Sequence, residues 1–128
     1  MALHQFLIGV VDDDPRLLES LEELLASGGY QVLLFSSAAA FIGSQGFQQV
    51  DCLISDIGMP GMNGWELLEI ARTRRPELPV ILITARDEEY ARGSIKGKGA
   101  RHLFRKPFDG RELLAALATI LKPGEQKQ

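Results

Sequence analysis

The chain has 128 residues, 45% of them hydrophobic and 24% charged, with a formal net charge of −3. That length suits one domain with a real core, and the composition excludes disorder as the default. The small charge offers no general pull toward nucleic acid or a membrane, and one cysteine, Cys52, excludes an internal disulfide.

Met1 to Gln5 carries no basic leader, and the apolar run behind it, Phe6 to Val11, is too short for a signal-peptide core or a membrane span. A reducing cytoplasm is the expected location. Cys52 lies in an apolar run and reads as a buried small hydrophobe.

Phe6 to Val11 reads as a strand buried on both faces. Asp14-Pro15 opens a helix, with the aspartate as N-cap and the proline in the first turn, where its missing N–H costs nothing. Leu17, Leu18, Leu21, Leu24 and Leu25 form one apolar stripe, and Gly28-Gly29 ends it. Gln31 to Phe35 is the second strand, followed by a helix over about Ser37 to Gln45. Cys52 to Ser55 is the third, and Gly64 to Arg74 its helix, with Trp65, Leu68 and Ala71 facing inward. Val80 to Ile83 is the clearest buried strand. A fourth helix is predicted over 87–98, then a strand over His102 to Arg105 and a last helix over Gly110 to Leu121. Asp109 and Glu112 are spaced as a capping box at its start. A domain over 1–121 followed by a tail or linker over 122–128 is the expected organisation.

This β–α alternation with apolar strands predicts an α/β fold, a doubly wound parallel sheet covered by helices on both faces. Right-handed crossovers bring all strand carboxyl ends to one edge, where such sheets bind ligands. The residues that follow the strands are Asp12 and Asp13, Asp56, Thr84 and Lys106. Three acids in one pocket resist ionisation without a compensating cation, and hard oxygen ligands suit Mg²⁺. With a lysine and a hydroxyl beside them, they are the set that phosphoryl transfer to a carboxylate requires. Singly, each has a plain alternative: a solvated aspartate turn, a loop acid, a strand-end hydroxyl, a surface lysine. Together on one edge they point to chemistry.

The segments Val11-Asp12-Asp13-Asp14-Pro15, Ser55-Asp56-Ile57-Gly58-Met59-Pro60-Gly61-Met62-Asn63-Gly64, Ile83-Thr84-Ala85 and Phe104-Arg105-Lys106-Pro107-Phe108 resemble the receiver domain of two-component response regulators. The resemblance spans about Phe6 to Leu121. It implies a flavodoxin-like sheet of five strands in the order 2-1-3-4-5 with five helices. It also implies that Asp56 takes a phosphoryl group from a histidine kinase, a phosphotransfer protein or a small phosphodonor. Asp12, Asp13, Asp56 and the Gly58 carbonyl would hold Mg²⁺, with Thr84 and Lys106 meeting the phosphoryl oxygens. The Lys106-Pro107 peptide is expected to be cis. The implied product is a signalling switch with only self-phosphorylation and self-dephosphorylation chemistry. Its output surface lies around the fourth helix, fifth strand and last helix, and a phospho-dependent homodimer is allowed for. The motif style is similar to receivers that precede DNA-binding domains of transcription regulators, although these residues offer no direct nucleic-acid or membrane contact.

Three features depart from the family pattern. Leu103 stands where an aromatic residue usually precedes the site lysine by three, and Phe104 points to the other face. Gly93, Gly97 and Gly99 weaken the fourth helix. Arg92 to Arg111 holds half of the 14 lysines and arginines, a solvated face or an output surface for an acidic partner. His102 reads as a partly exposed strand-end residue. An aspartyl-phosphate phosphatase is the competing enzyme reading, and it needs a second acid two residues after the nucleophile, where Gly58 stands. A pseudo-receiver that only binds partners is the other.

Overall fold

Strands this apolar must be covered on both faces, and the computed structural model, which describes residues 5–85 and 99–121, shows how. The elements in chain order are β1 (Leu7–Val11), α1 (Pro15–Ser27), β2 (Gln31–Phe35), α2 (Ala38–Ile42), α3 (Gly46–Gln49), β3 (Cys52–Asp56), α4 (Gly64–Arg74), β4 (Val80–Thr84), β5 (His102–Arg105) and α5 (Gly110–Ile120). The five strands form one parallel sheet in the order β2-β1-β3-β4-β5. No helix among the described residues is long and apolar enough to cross a membrane.

Alternation along each strand splits the core in two. Ile8, Val10, Ile54, Ile81 and Ile83 face α1 and α5, where Leu18, Leu21, Leu25, Leu113 and Leu117 cover them. Val11, Leu53, Val80 and Leu82 face the other way, under Phe41, Phe47, Leu67, Leu68 and Ala71 of α2, α3 and α4. The central strands β3 and β4 are buried at every position, while the edges β2 and β5 are only partly so.

Local signals set the helix ends. Asp14 accepts from the Arg16 N–H at 2.9 Å, and Pro15 occupies the first turn of α1. Gly28 caps the far end, and Gly29 turns the chain at φ 92°, a region that favours glycine. The helix expected over Ser37 to Gln45 is shorter, Ala38 to Ile42, and a second, unpredicted helix follows it over Gly46 to Gln49. Ser44 Oγ donates to the Phe41 carbonyl and accepts from the Gly46 N–H, closing α2 and opening α3 with one hydroxyl. The capping box expected at Asp109 and Glu112 is also absent. The Asp109 carboxylate takes the Arg111 N–H and guanidinium, and the Glu112 N–H goes to the Asp109 carbonyl. A reciprocal box forms at α4, where Asn63 and Glu66 exchange side-chain and backbone bonds, each 2.9 Å long. Trp65, expected inward, is half-buried on the flank of α4, and Leu67 is the fully buried residue.

The predicted helix over 87–98, with its glycines 93 and 97 and its basic residues 92, 96 and 98, lies outside the described residues, as does the tail 122–128. Leu103 and Phe104 do pack into opposite cores, as strand alternation requires.

The start of α4 presses on the backbone of β3. A Cβ at Gly64 would lie 2.6 Å from the Asp56 carbonyl oxygen and 2.7 Å from Ile57 Cα, neither of which can swing aside. Gly64→Ala is expected to destabilise the fold by ~1–3 kcal/mol. Urea unfolding checks this, and an unchanged or raised midpoint contradicts it.

Candidate functional site

The sheet edge collects the predicted residues. Asp12 follows β1, its N–H donating to the Phe35 carbonyl at 3.1 Å. Asp56 ends β3, and the next N–H, of Ile57, donates to the Ile83 carbonyl at 2.8 Å. Thr84 ends β4, and the N–H of Lys106, just past β5, donates to the Thr84 carbonyl at 2.8 Å. Parallel pairing therefore brings all four to one edge, with Thr84 one residue beyond the level of Asp56 and Lys106 one beyond that of Thr84. Lys106-Pro107 is cis, as expected.

Asp12, Asp56 and Thr84 are 2%, 6% and 1% exposed, unusual burial for such residues, whereas Asp13 is exposed. Lys106 Nζ lies 3.3 Å from Asp12 Oδ2 and 3.2 Å from Asp56 Oδ1, bridging the two buried carboxylates. Asp12 Oδ1 accepts the Asp14 N–H at 2.9 Å, which orients that carboxylate. One carboxylate oxygen each from Asp12, Asp13 and Asp56 falls within 4.8 Å of the others. That donor set, all hard oxygens and mostly withdrawn from water, fits a small divalent cation. Gly58 lies in the exposed turn beyond Asp56, a turn held by bonds from the Met59 and Gly64 N–H groups to the Ile57 carbonyl.

Burial raises the Asp12 pKa above 3.8, the Asp14 N–H opposes this, Asp56 adds to it, and Lys106 opposes it again. Burial works to lower the Lys106 pKa, but Asp12 and Asp56 outweigh it and the net movement is upward from 10.5. The two raised values have opposite meaning at neutral pH. A raised group stabilises the fold below its unfolded pKa and loses that contribution as pH rises through its folded pKa. Lys106 is still in its stabilising range at pH 7, while Asp12 loses its own as pH rises from 3.8.

Two residues singled out in the sequence stay outside this constellation. His102 is exposed and stacks on Phe104, with ring centroids 5.8 Å apart. Cys52 is fully buried, its thiol pushed up to about 12 by desolvation, which leaves it unreactive. One residue was missed. Ser55 is fully buried beside Asp56, and its hydroxyl donates to the Asp56 carbonyl at 2.9 Å. The only signal for it was a polar side chain at the end of an apolar strand.

Removing the Asp12 charge is expected to stabilise the metal-free chain at pH 7. Asp12→Asn should raise the urea midpoint there, with an advantage that shrinks as pH falls toward 3.8. A lower midpoint at pH 7 contradicts the electrostatic account.

Comparison with known proteins follows the same lines. The profile of the family described as "Response regulator receiver domain" matches residues 8–118. The response regulator protein TmoT of Ectopseudomonas mendocina is 38% identical over 94% of this chain and 55% of its own length. The DNA-binding transcriptional regulator NtrC of Escherichia coli is 35% identical over 95% of this chain and 26% of its own. The chain thus spans about half or less of the length of these two relatives. Among solved structures, the signal receiver domain of an HD domain-containing protein from Pseudomonas fluorescens has a TM-score of 0.83 at 27% identity, covering 95% of this chain and 90% of that one. The response regulator protein TrrA of Thermotoga maritima, solved in complex with Mg²⁺-BeF, has a TM-score of 0.82 at 28% identity, covering 91% of this chain and all of that one.

Proposed function

Since this chain belongs to the response regulator receiver domain family of two-component systems, we propose that Asp56 is the acceptor in a magnesium-dependent phosphotransfer. The observation that carries this reading is the ammonium of Lys106 held 3.2 Å from Asp56 and 3.3 Å from Asp12 at the sheet edge. Receiver domains are signalling switches, and the chemistry here is confined to loading and unloading one carboxylate.

An Asp56 carboxylate oxygen attacks phosphorus, a P–O bond forms, and the P–N bond to a kinase or phosphotransfer-protein histidine breaks. The imidazole leaves with the electron pair of that bond. With a small acyl phosphate the bond that breaks is P–O, and a carboxylate leaves. Asp12, Asp13, Asp56 and the Gly58 carbonyl would hold Mg²⁺, which, when bound, supplies positive charge to the acids and to the phosphoryl oxygens. Lys106 neutralises charge on those oxygens from the other side, and the Thr84 hydroxyl donates to one of them. Burial of Asp12 and Asp56 strengthens each of these interactions.

Phosphorylation adds charge and acceptors where three strand ends meet. It biases the domain only through interactions that differ between the two states, and a near-complete switch needs about 5.5 kcal/mol of such difference. We assign the output surface to the segment between β4 and β5 together with β5 and α5. A phosphorylated homodimer and a sensor kinase are its expected partners. The phosphatase alternative lacks its second acid, because the position two residues after Asp56 is Gly58.

Purified chain treated with acetyl phosphate and Mg²⁺ is expected to gain one phosphoryl group by intact mass. The gain should disappear with EDTA and in Asp56→Asn, and fall at least tenfold in Lys106→Ala. A gain that survives in Asp56→Asn rejects this acceptor, and release of phosphate from a simple ester with turnover favours the phosphatase.

A further inference from the structure

Ser55 interrupts an otherwise apolar strand. It sits opposite Val11 of β1 and Leu82 of β4 and is fully buried. A hydroxyl at such a place needs a partner, and its partner is the Asp56 carbonyl oxygen at 2.9 Å. That same oxygen is the one a Cβ at Gly64, the start of α4, would meet at 2.6 Å, so only glycine fits there. The other end of the same peptide unit, the Ile57 N–H, donates to Ile83 of β4 at 2.8 Å. The Asp56–Ile57 peptide is therefore gripped at both ends. Because the unit is planar, holding its carbonyl and its N–H fixes its orientation as a whole. That orientation sets the last torsion of Asp56 and the first of Ile57, and so the path from the carboxylate-bearing residue to Gly58. The Ile57 carbonyl, held by the Gly64 N–H at 2.9 Å and the Met59 N–H at 3.1 Å, extends the same grip through the turn.

We propose that Ser55 is a positioning residue, whose hydroxyl locks the Asp56–Ile57 peptide so that the Asp56 carboxylate and the Gly58 carbonyl stay in one fixed relation. The inference rests on the reading of Asp56 and Gly58 given above. Ser55 touches neither metal nor phosphoryl group and acts through the peptide alone. In its absence the carbonyl loses its side-chain donor, the peptide rocks, and the oxygen set loosens. Outer partners of this kind change metal affinity while leaving the ligands themselves intact.

The test compares wild type with Ser55→Ala and with Ser55→Cys, which keeps the volume but donates weakly. Mg²⁺ affinity is read by calorimetry, amide exchange at Ile57 and Gly58 in the metal-free chain by NMR, and labelling rate over a range of acetyl phosphate concentrations by mass. Both variants are expected to bind Mg²⁺ about fivefold to tenfold more weakly and to exchange faster at those two amides. The maximal labelling rate should fall severalfold with little change in the half-saturating acetyl phosphate. Cooperative urea unfolding identifies which variants are folded, and if Ser55→Ala is not, Ser55→Cys carries the comparison. Mg²⁺ affinity and exchange within twofold of wild type in a folded variant would overturn the proposal, leaving a satisfied core hydroxyl. Wild type that takes up no phosphoryl group overturns the reading of Asp56 instead, and calorimetry and exchange still decide Ser55.

Discussion

Lys106 holds two buried carboxylates that would otherwise have no stable reason to share a site. Asp12 and Asp56 come from different strands, and each is almost wholly withdrawn from water. Their ammonium partner arrives from the far side of the sheet, 94 residues after Asp12. Burying like charges together is unfavourable, and one cation between them offsets part of that cost. The Asp12 pKa is raised chiefly by burial, with the Asp56 charge adding to it.

The sheet makes the arrangement possible. Parallel pairing brings the ends of β1, β3 and β4 to one edge, each a residue beyond the last, and the backbone of Lys106 is tied there by its bond to the Thr84 carbonyl. The two apolar faces give the sheet a fixed position between α1 and α5 on one side and α2, α3 and α4 on the other. A one-residue slip of β3 would exchange Ile54 with Ser55 and turn Asp56 out of the pocket, so the register of the core is also the register of the chemistry. Stability and function draw on the same pairing.

Around Asp56 the backbone is unusually constrained. Its carbonyl meets a serine hydroxyl and the first residue of α4, and the following N–H is held by β4. On β5, Leu103 takes the place of the aromatic residue that the family pattern leads one to expect. A leucine packed into the α4 side of the core can shift but cannot report by rotating a ring between two faces.

The sequence by itself determined the alternation of elements, the direction of the sheet, and the identity of the residues at its carboxyl edge. These are local properties: apolar runs bounded by Asp-Pro, Gly-Gly and proline declare strands and helix ends without reference to the rest of the chain. What lay beyond it were competitions settled by neighbours. Ser44 ends a helix early because its hydroxyl reaches two backbone groups at once, and Arg111 takes the carboxylate that Glu112 was spaced to share. Only tertiary structure decided that Lys106 touches both Asp12 and Asp56, and that Asp13 remains in water while its neighbour does not. Spacing along the chain can bring acids to one edge, but burial and bridging depend on which strands lie side by side, and that is a property of the folded sheet.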